Sequence, residues 1–194
     1  FQSLDEDDDG ETEWFYFKPN GKAYKNTTQG YNGKTYVFDE YGRMLDLWTY
    51  KENGDYTNNA SSSSAYATKG SASYSQAAFY AEDNGGRDKN WIYAYPKTDY
   101  EEYDDDQYWF WLNSKGVPFK ADTNGTAARI DDTSRENEPT HAEYSGKVEA
   151  KVIKNNTYLF NNKGVMLQGL FEVENVVRGN GNLTDGIYLF DKAG

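Results

Sequence analysis

Four tryptophans, Trp48, Trp91, Trp109 and Trp111, with Tyr93 beside them, are the residues of this chain best suited to hold a ligand. An exposed aromatic face attracts a quaternary amine through its ring quadrupole and presents an apolar plane on which a sugar can stack. The same rings also pack strands together, so both roles stay open for each of them. Tyr16 is a further aromatic that fits the edge of such a platform.

Catalytic chemistry has less to work with. The 32 acids include enough carboxylates for a glycoside-hydrolysing pair, but no spacing singles one out. His141 is the only histidine and lies in a polar stretch, so a Ser-His-Asp triad or a histidine metal site has one candidate at most. The absence of cysteine excludes a disulfide scaffold, a cysteine nucleophile and thiolate metal sites. Asp5-Glu6-Asp7-Asp8-Asp9-Gly10 matches the front of a calcium loop, yet its twelfth position is Tyr16 rather than an acid, which favours a solvated acidic turn. Glu101 to Asp106 repeats this arrangement of acids ahead of an aromatic strand. Gly85-Gly86 and Gly179-Asn180-Gly181 lack the strand-to-helix context of a phosphate loop. The expectation is a chain with no catalytic residue, no metal and no cofactor. Its net charge of −12 disfavours nucleic acid. No apolar run approaches the ~18 residues that span a bilayer, so membrane insertion is not expected.

The elements that must position these aromatics follow a repeated unit: aromatic, any residue, aromatic or apolar, three residues, glycine. Clear copies end at Gly21, Gly42, Gly116, Gly164 and Gly194, and a weaker one at Gly85. The alternation puts both rings on one face of a strand. Stretches such as Asp39-Glu40-Tyr41-Gly42 then read as turns, with Met44 or Met166 opening a return strand. Asn32-Gly33, Asn155-Asn156 and Asp185-Gly186, just upstream, read as hairpin turns. Strands are expected at 34–39, 43–48, 157–161 and 187–190, and a short helix fits 73–81. Phe15, Phe17, Phe38, Phe110, Phe160 and Phe190 fit the packing face. With 37% hydrophobic residues and 17% aromatic, aliphatics are scarce, which argues for thin aromatic layers over a deep Leu/Val/Ile core.

A repeat of this kind builds an array of stacked supersecondary units. The array divides into N-terminal hairpin repeats over 1–120, with a Ser/Ala/Asn-rich insertion near 52–78, a polar insertion or linker over 121–147, and C-terminal repeats over 148–194. Opening at Phe1 and ending in mid-repeat at Gly194, the chain reads as a piece of a longer one.

Tyr31-Asn32-Gly33-Lys34-Thr35-Tyr36-Val37-Phe38-Asp39-Glu40-Tyr41-Gly42-Arg43-Met44 resembles the cell-wall-binding repeats of Gram-positive surface proteins, the superfamily of choline-binding and glucan-binding modules. Lys154 to Met166, Trp14 to Phe17 and Trp109 to Leu112 are similar to it as well. The resemblance implies an all-β fold, a β-hairpin solenoid with two polar insertions, in which tryptophans and neighbouring aromatics cage choline between hairpins. By position the caging tryptophan is Trp48, six residues after Gly42, and Trp91, six after Gly85. The third equivalent is Leu170, and the glycine that precedes the family's tryptophan is replaced by Leu47 and Asn90. The expected function is a non-catalytic module that binds a cell-wall polymer, choline or a glycan, in a secreted, cell-wall-associated protein. The alternatives are a structural or adhesin segment making protein contacts, and a fragment of a carbohydrate-active enzyme.

Overall fold

The repeated turn is built by one side chain and one glycine. In the computed structural model, which describes residues 1–5, 12–58, 77–81, 83–95, 107–130, 145–179 and 181–191, Asp39 opens such a turn. Its N–H donates to the Arg43 carbonyl at 3.0 Å, and the Gly42 N–H donates back to the Asp39 carbonyl at 3.2 Å. The Asp39 carboxylate also accepts from the N–H groups of Tyr41, Gly42 and Arg43 at 2.9, 2.8 and 2.8 Å. This is an Asx-type turn, which satisfies backbone donors that a tight reversal leaves unpaired. Asn113 and Asn161 repeat it, their Oδ1 atoms accepting from Lys115 and Val117 and from Lys163 and Val165. Gly42 and Gly164 close their turns at φ 99° and 89°, a region that other residues resist. A Cβ there would also stand 3.2 Å from the Tyr24 carbonyl oxygen and 3.1 Å from that of Phe119.

A second conformational signature lies five residues beyond the turn glycine. Asn26, Leu47, Asn90 and Gly169 all have positive φ, at 46°, 49°, 67° and 124°. Leu47 and Asn90 therefore adopt a left-handed backbone, which glycine enters most easily. Leu47 is 41% exposed, so its side chain contributes little packing, while its backbone is strained by about 1–2 kcal/mol. Leu47→Gly is expected to raise stability by about 0.5–1 kcal/mol once the flexibility glycine adds to the unfolded chain is set against this strain. A lower urea midpoint in the variant would show that Leu47 packing outweighs the strain.

The chain forms two units by internal contacts, Phe1–Asn90 with Leu112–Val117, and Trp91–Trp111 with Pro118–Gly194. The first carries β1 (Gln2–Leu4), β2 (Glu13–Phe15), β3 (Thr27–Tyr31), β4 (Lys34–Phe38), β5 (Met44–Leu45), β6 (Leu47–Glu52), β7 (Asp55–Thr57) and β8 (Ala78–Tyr80). They pair as β1-β2, β3-β4-β5 and β7-β6-β8. β9 (Asn90–Ala94) pairs with β10 (Tyr108–Leu112). The second unit continues with β11 (Thr126–Arg129), β12 (Ser145–Ile153), β13 (Asn156–Asn161), β14 (Met166–Leu167), β15 (Gly169–Glu174), β16 (Val177–Arg178), β17 (Gly181–Asn182) and β18 (Gly186–Phe190). Its sheet runs β14-β13-β12-β11-β15-β18, with β16 on β12 and β17 on β16. Among the described residues the fold is all-β.

The two best sequence copies have the same register. Phe38 pairs with Met44 and Val37 with Leu45; Phe160 pairs with Met166 and Leu159 with Leu167. Their turn glycines also pack alike. Gly42 lies against Ala23, Gly85 against Met44 and Gly116 against Arg87 in the first unit, and Gly164 against Pro118 in the second. Each of these neighbours stands two residues after the turn glycine of a preceding copy.

Several expectations change. The strand expected at 43–48 is broken into β5 and β6, because Leu47 turns the backbone left-handed. The hairpin turn placed at Asn155-Asn156 sits at Lys154-Asn155, both at positive φ, and Asn156 already pairs with Ile153. Within the span that fitted a helix, 78–80 is strand β8, paired antiparallel to β6; 73–76 lies outside the described residues. The flanks of the polar stretch 121–147 carry β11 and the start of β12, because Ala127 offers a small buried side chain between exposed Thr126 and Ala128. An aliphatic core does exist, in the second unit: Val148, Leu159, Val173, Val176 and Leu183 pack with Phe171 and Phe190. Whole-chain composition hid it because the aliphatics concentrate toward the C-terminus. Of the six phenylalanines expected on the packing face, five are buried and Phe17 is half-buried.

Candidate ligand-binding surface

Period-two alternation decides which aromatics reach solvent on β9 and β10. On β9, Ile92 and Ala94 are buried, so Trp91 and Tyr93 point to the opposite face, and Tyr95 follows just beyond the strand. On β10, Phe110 and Leu112 are buried, and Trp109 and Trp111 face outward. Four of the five sequence candidates thus meet on one face of a paired strand couple. Trp91, Trp109 and Trp111 are half-buried, Tyr93 is 54% exposed and Tyr95 57% exposed.

The rings touch edge to face. Trp91 stands 6.2 Å from Trp109 at 89°, 5.2 Å from Trp111 at 70° and 4.8 Å from Tyr158 at 66°. Tyr93 lies 5.0 Å from Trp109. Beneath them Phe160 stacks on Trp91 at 5.9 Å and 20°, with Ile153 and Met166 completing the buried layer. Phe119 meets Phe160 edge-on at 5.3 Å, and the Lys151 ammonium sits 4.5 Å over the Phe119 ring.

This spacing limits the chemistry. An ammonium held by a ring lies within about 6 Å of its centroid, so a cage needs rings splayed around a gap. Here neighbouring centroids are already in packing contact, which leaves the outer ring faces as the accessible aromatic surface. The result is a cluster of half-buried tryptophans set edge to face. Sequence reading missed Tyr158 and Phe119 as members of this cluster; the Tyr158-x-Phe160 alternation is the signal that puts Tyr158 and Phe160 on one strand face.

Trp48 has a different environment. It is 7% exposed on β6, opposite Phe79 of β8, with the rings edge to face at 5.0 Å. Tyr16 is half-buried in the first unit, stacked between Phe1 at 4.8 Å and Tyr24 at 5.3 Å. Among the described residues no group of three or more His, Cys, Asp or Glu side chains could hold a metal ion. Both acidic runs fall largely outside the described residues, and His141 lies wholly outside them. Burial raises the pKa of Tyr80, against the lowering effect of Arg87, and that of Asp88, against Lys34; neither residue belongs to the aromatic face. No described helix is long and apolar enough to cross a membrane.

No family profile matches the chain, and no curated protein matches it either. Among solved structures it is similar to choline binding protein F from Streptococcus pneumoniae, at 18% identity and a TM-score of 0.37, over 80% of this chain and 39% of that one. The same protein in the presence of a peptidoglycan analogue gives 17% identity and a TM-score of 0.38, over 89% and 44%. Alternansucrase in complex with isomaltononaose gives 11% identity and a TM-score of 0.29, over 98% and 16%. At such identities and scores these likenesses carry neither ligand nor activity across to this chain. The chain is similar to choline-binding protein structures over most of its own length and under half of theirs.

Proposed function

We propose that this chain is a non-catalytic binding module for a cell-wall polymer or surface glycan, and that the β9–β10 aromatic face makes the contact. Trp91, Trp109 and Trp111 supply the platform, and Tyr93 its exposed rim. The observation that carries this reading is the burial pattern on β9 and β10: Ile92, Ala94, Phe110 and Leu112 are covered while three tryptophans stay half-exposed and Tyr93 exposed. An outward tryptophan face suits the apolar face of a sugar, whereas a trimethylammonium group is held best with rings on several sides. Trp48, covered by Phe79, is assigned to packing. Within each unit the hairpins stack as solenoid repeats in this reading, supported by the recurring contact between a turn glycine and the residue two beyond the preceding one. The repeat resemblance adds a secreted, wall-associated setting.

The test is binding of the intact chain to Gram-positive cell walls, immobilised choline and a glucan array. Tyr93→Ala is expected to weaken binding about tenfold, equivalent to 1.4 kcal/mol, with an unchanged melting temperature because the ring is mostly exposed. Trp109→Ala is expected to do more, at some cost in stability. No binding by the wild-type chain to any of these, or unaltered binding by both variants, sinks the proposal.

A further inference from the structure

We infer that the first unit carries a second, separate binding site: a cleft of about 500 Å³ that takes a non-anionic sugar ring, best one bearing a protonated amine. Its size falls within the ~300–1,000 Å³ of small-molecule sites. Glu13 of β2, the turn residues Glu40, Tyr41 and Arg43, and Asp55 and Tyr56 of β7 are among its walls.

Both walls are held in place by interactions that leave ligand-facing groups over. Asp39 is used up by its own turn: besides three backbone donors it takes the Arg43 Nε at 2.9 Å. That fixes the loop presenting Glu40 and Tyr41, and the Arg43 guanidinium stands 5.0 Å over the Tyr41 ring, which remains 54% exposed. Across the cleft, Asn26 donates to the Asp55 carboxylate and accepts the Tyr56 N–H at 3.0 Å, pinning β7 from outside. Lys51 lies 4.5 Å over the Tyr56 ring. Among the described residues, two tyrosines and three carboxylates other than that of Asp39 thus line a concave space.

The chemistry of the occupant follows from charge and from one unmet hydrogen bond. Among the described residues, four carboxylates line the cleft against one guanidinium, so a uronate or phosphorylated sugar is repelled. Glu13 has its Oε1 at 3.6 Å from Arg43 Nη1, but its Oε2 is shielded from solvent and has no hydrogen-bond partner among the described residues. A shielded, unpaired carboxylate oxygen is costly, and the last side-chain torsion of glutamate turns softly, so a donor entering the cleft is rewarded. A quaternary ammonium has no N–H to offer and leaves that oxygen unmet. Sugar hydroxyls supply donors, a protonated amino group adds charge, and the Tyr41 face accepts the ring.

The experiment titrates the intact chain carrying Tyr93→Ala and Trp109→Ala, so that loss of the β9–β10 site cannot be confused with loss of this one. Glucosamine, glucose, glucuronate and choline are compared by NMR chemical-shift mapping. Glucosamine is expected to bind most tightly, glucose more weakly and glucuronate not at all, with shifts confined to the turn 39–43 and to 55–57. Tyr41→Ala and Glu13→Gln are each expected to weaken glucosamine by about tenfold, the first through loss of ring stacking and the second through loss of a charge-assisted contact. Tyr41 is exposed, so its variant folds even if that at Glu13 does not. Equal binding of glucuronate, displacement of glucosamine by choline, or undiminished affinity in Tyr41→Ala overturns the inference.

Discussion

Alanine in place of Phe160 is expected to destabilise the second unit by about 3–5 kcal/mol and to abolish the aromatic face with it. Phe160 is fully buried, stacked under Trp91 and meeting Phe119 edge-on. Removing the ring leaves a cavity beneath half-buried tryptophans, which have no reason to keep their outward arrangement without that floor. Urea denaturation followed by tryptophan fluorescence reads both effects, since three of the five tryptophans lie in this cluster. A loss below about 1.5 kcal/mol would mean that the layer collapses onto the gap and that Phe160 is not its support. The contrast with Tyr93→Ala, which removes an exposed ring, separates loss of platform from loss of contact.

Asn161→Ala is expected to cost about 2–3 kcal/mol, the next largest single effect. Asn161 is fully buried, and its Oδ1 accepts from the Lys163 and Val165 N–H groups at 2.9 Å each. Alanine leaves both donors unmet, one of them in a buried bond. Asn113→Ala makes the internal control, because Asn113 does the same work in an exposed turn where water replaces the lost acceptor. Its expected cost is below about 1 kcal/mol. Amide exchange at Val165 should accelerate in Asn161→Ala. Equal costs at the two positions would show that turn geometry, not burial, sets the value.

The aromatic alternation was legible without coordinates because strand side chains alternate regardless of what lies above them. That is why β4, β13 and β18 fall where the Y-x-F pattern puts them. The turn glycines were legible for the same reason, since tolerance of positive φ is a property of the residue itself. The Asx acceptors were in plain view as Asp39, Asn113 and Asn161, yet they went unread as a set, because one is charged and two are not. The aliphatic core escaped notice through averaging over the whole chain, and β11 because alanine in a polar stretch carries a weak hydrophobic signal.

The candidate site divides along the same line. Trp48 and Trp91 occupy equivalent positions, each six residues after a turn glycine and directly after a left-handed residue, and sequence treats them identically. The amino-acid sequence by itself determined the strand, the turn and the face of each ring. Tertiary structure decided what covers that face: β8 brings Phe79 over Trp48, whereas Trp91 shares the outward face of β9–β10 with Trp109, Trp111 and Tyr93. Burial depends on partners distant in the chain, so no local pattern distinguishes a ring that is covered from a ring left partly exposed.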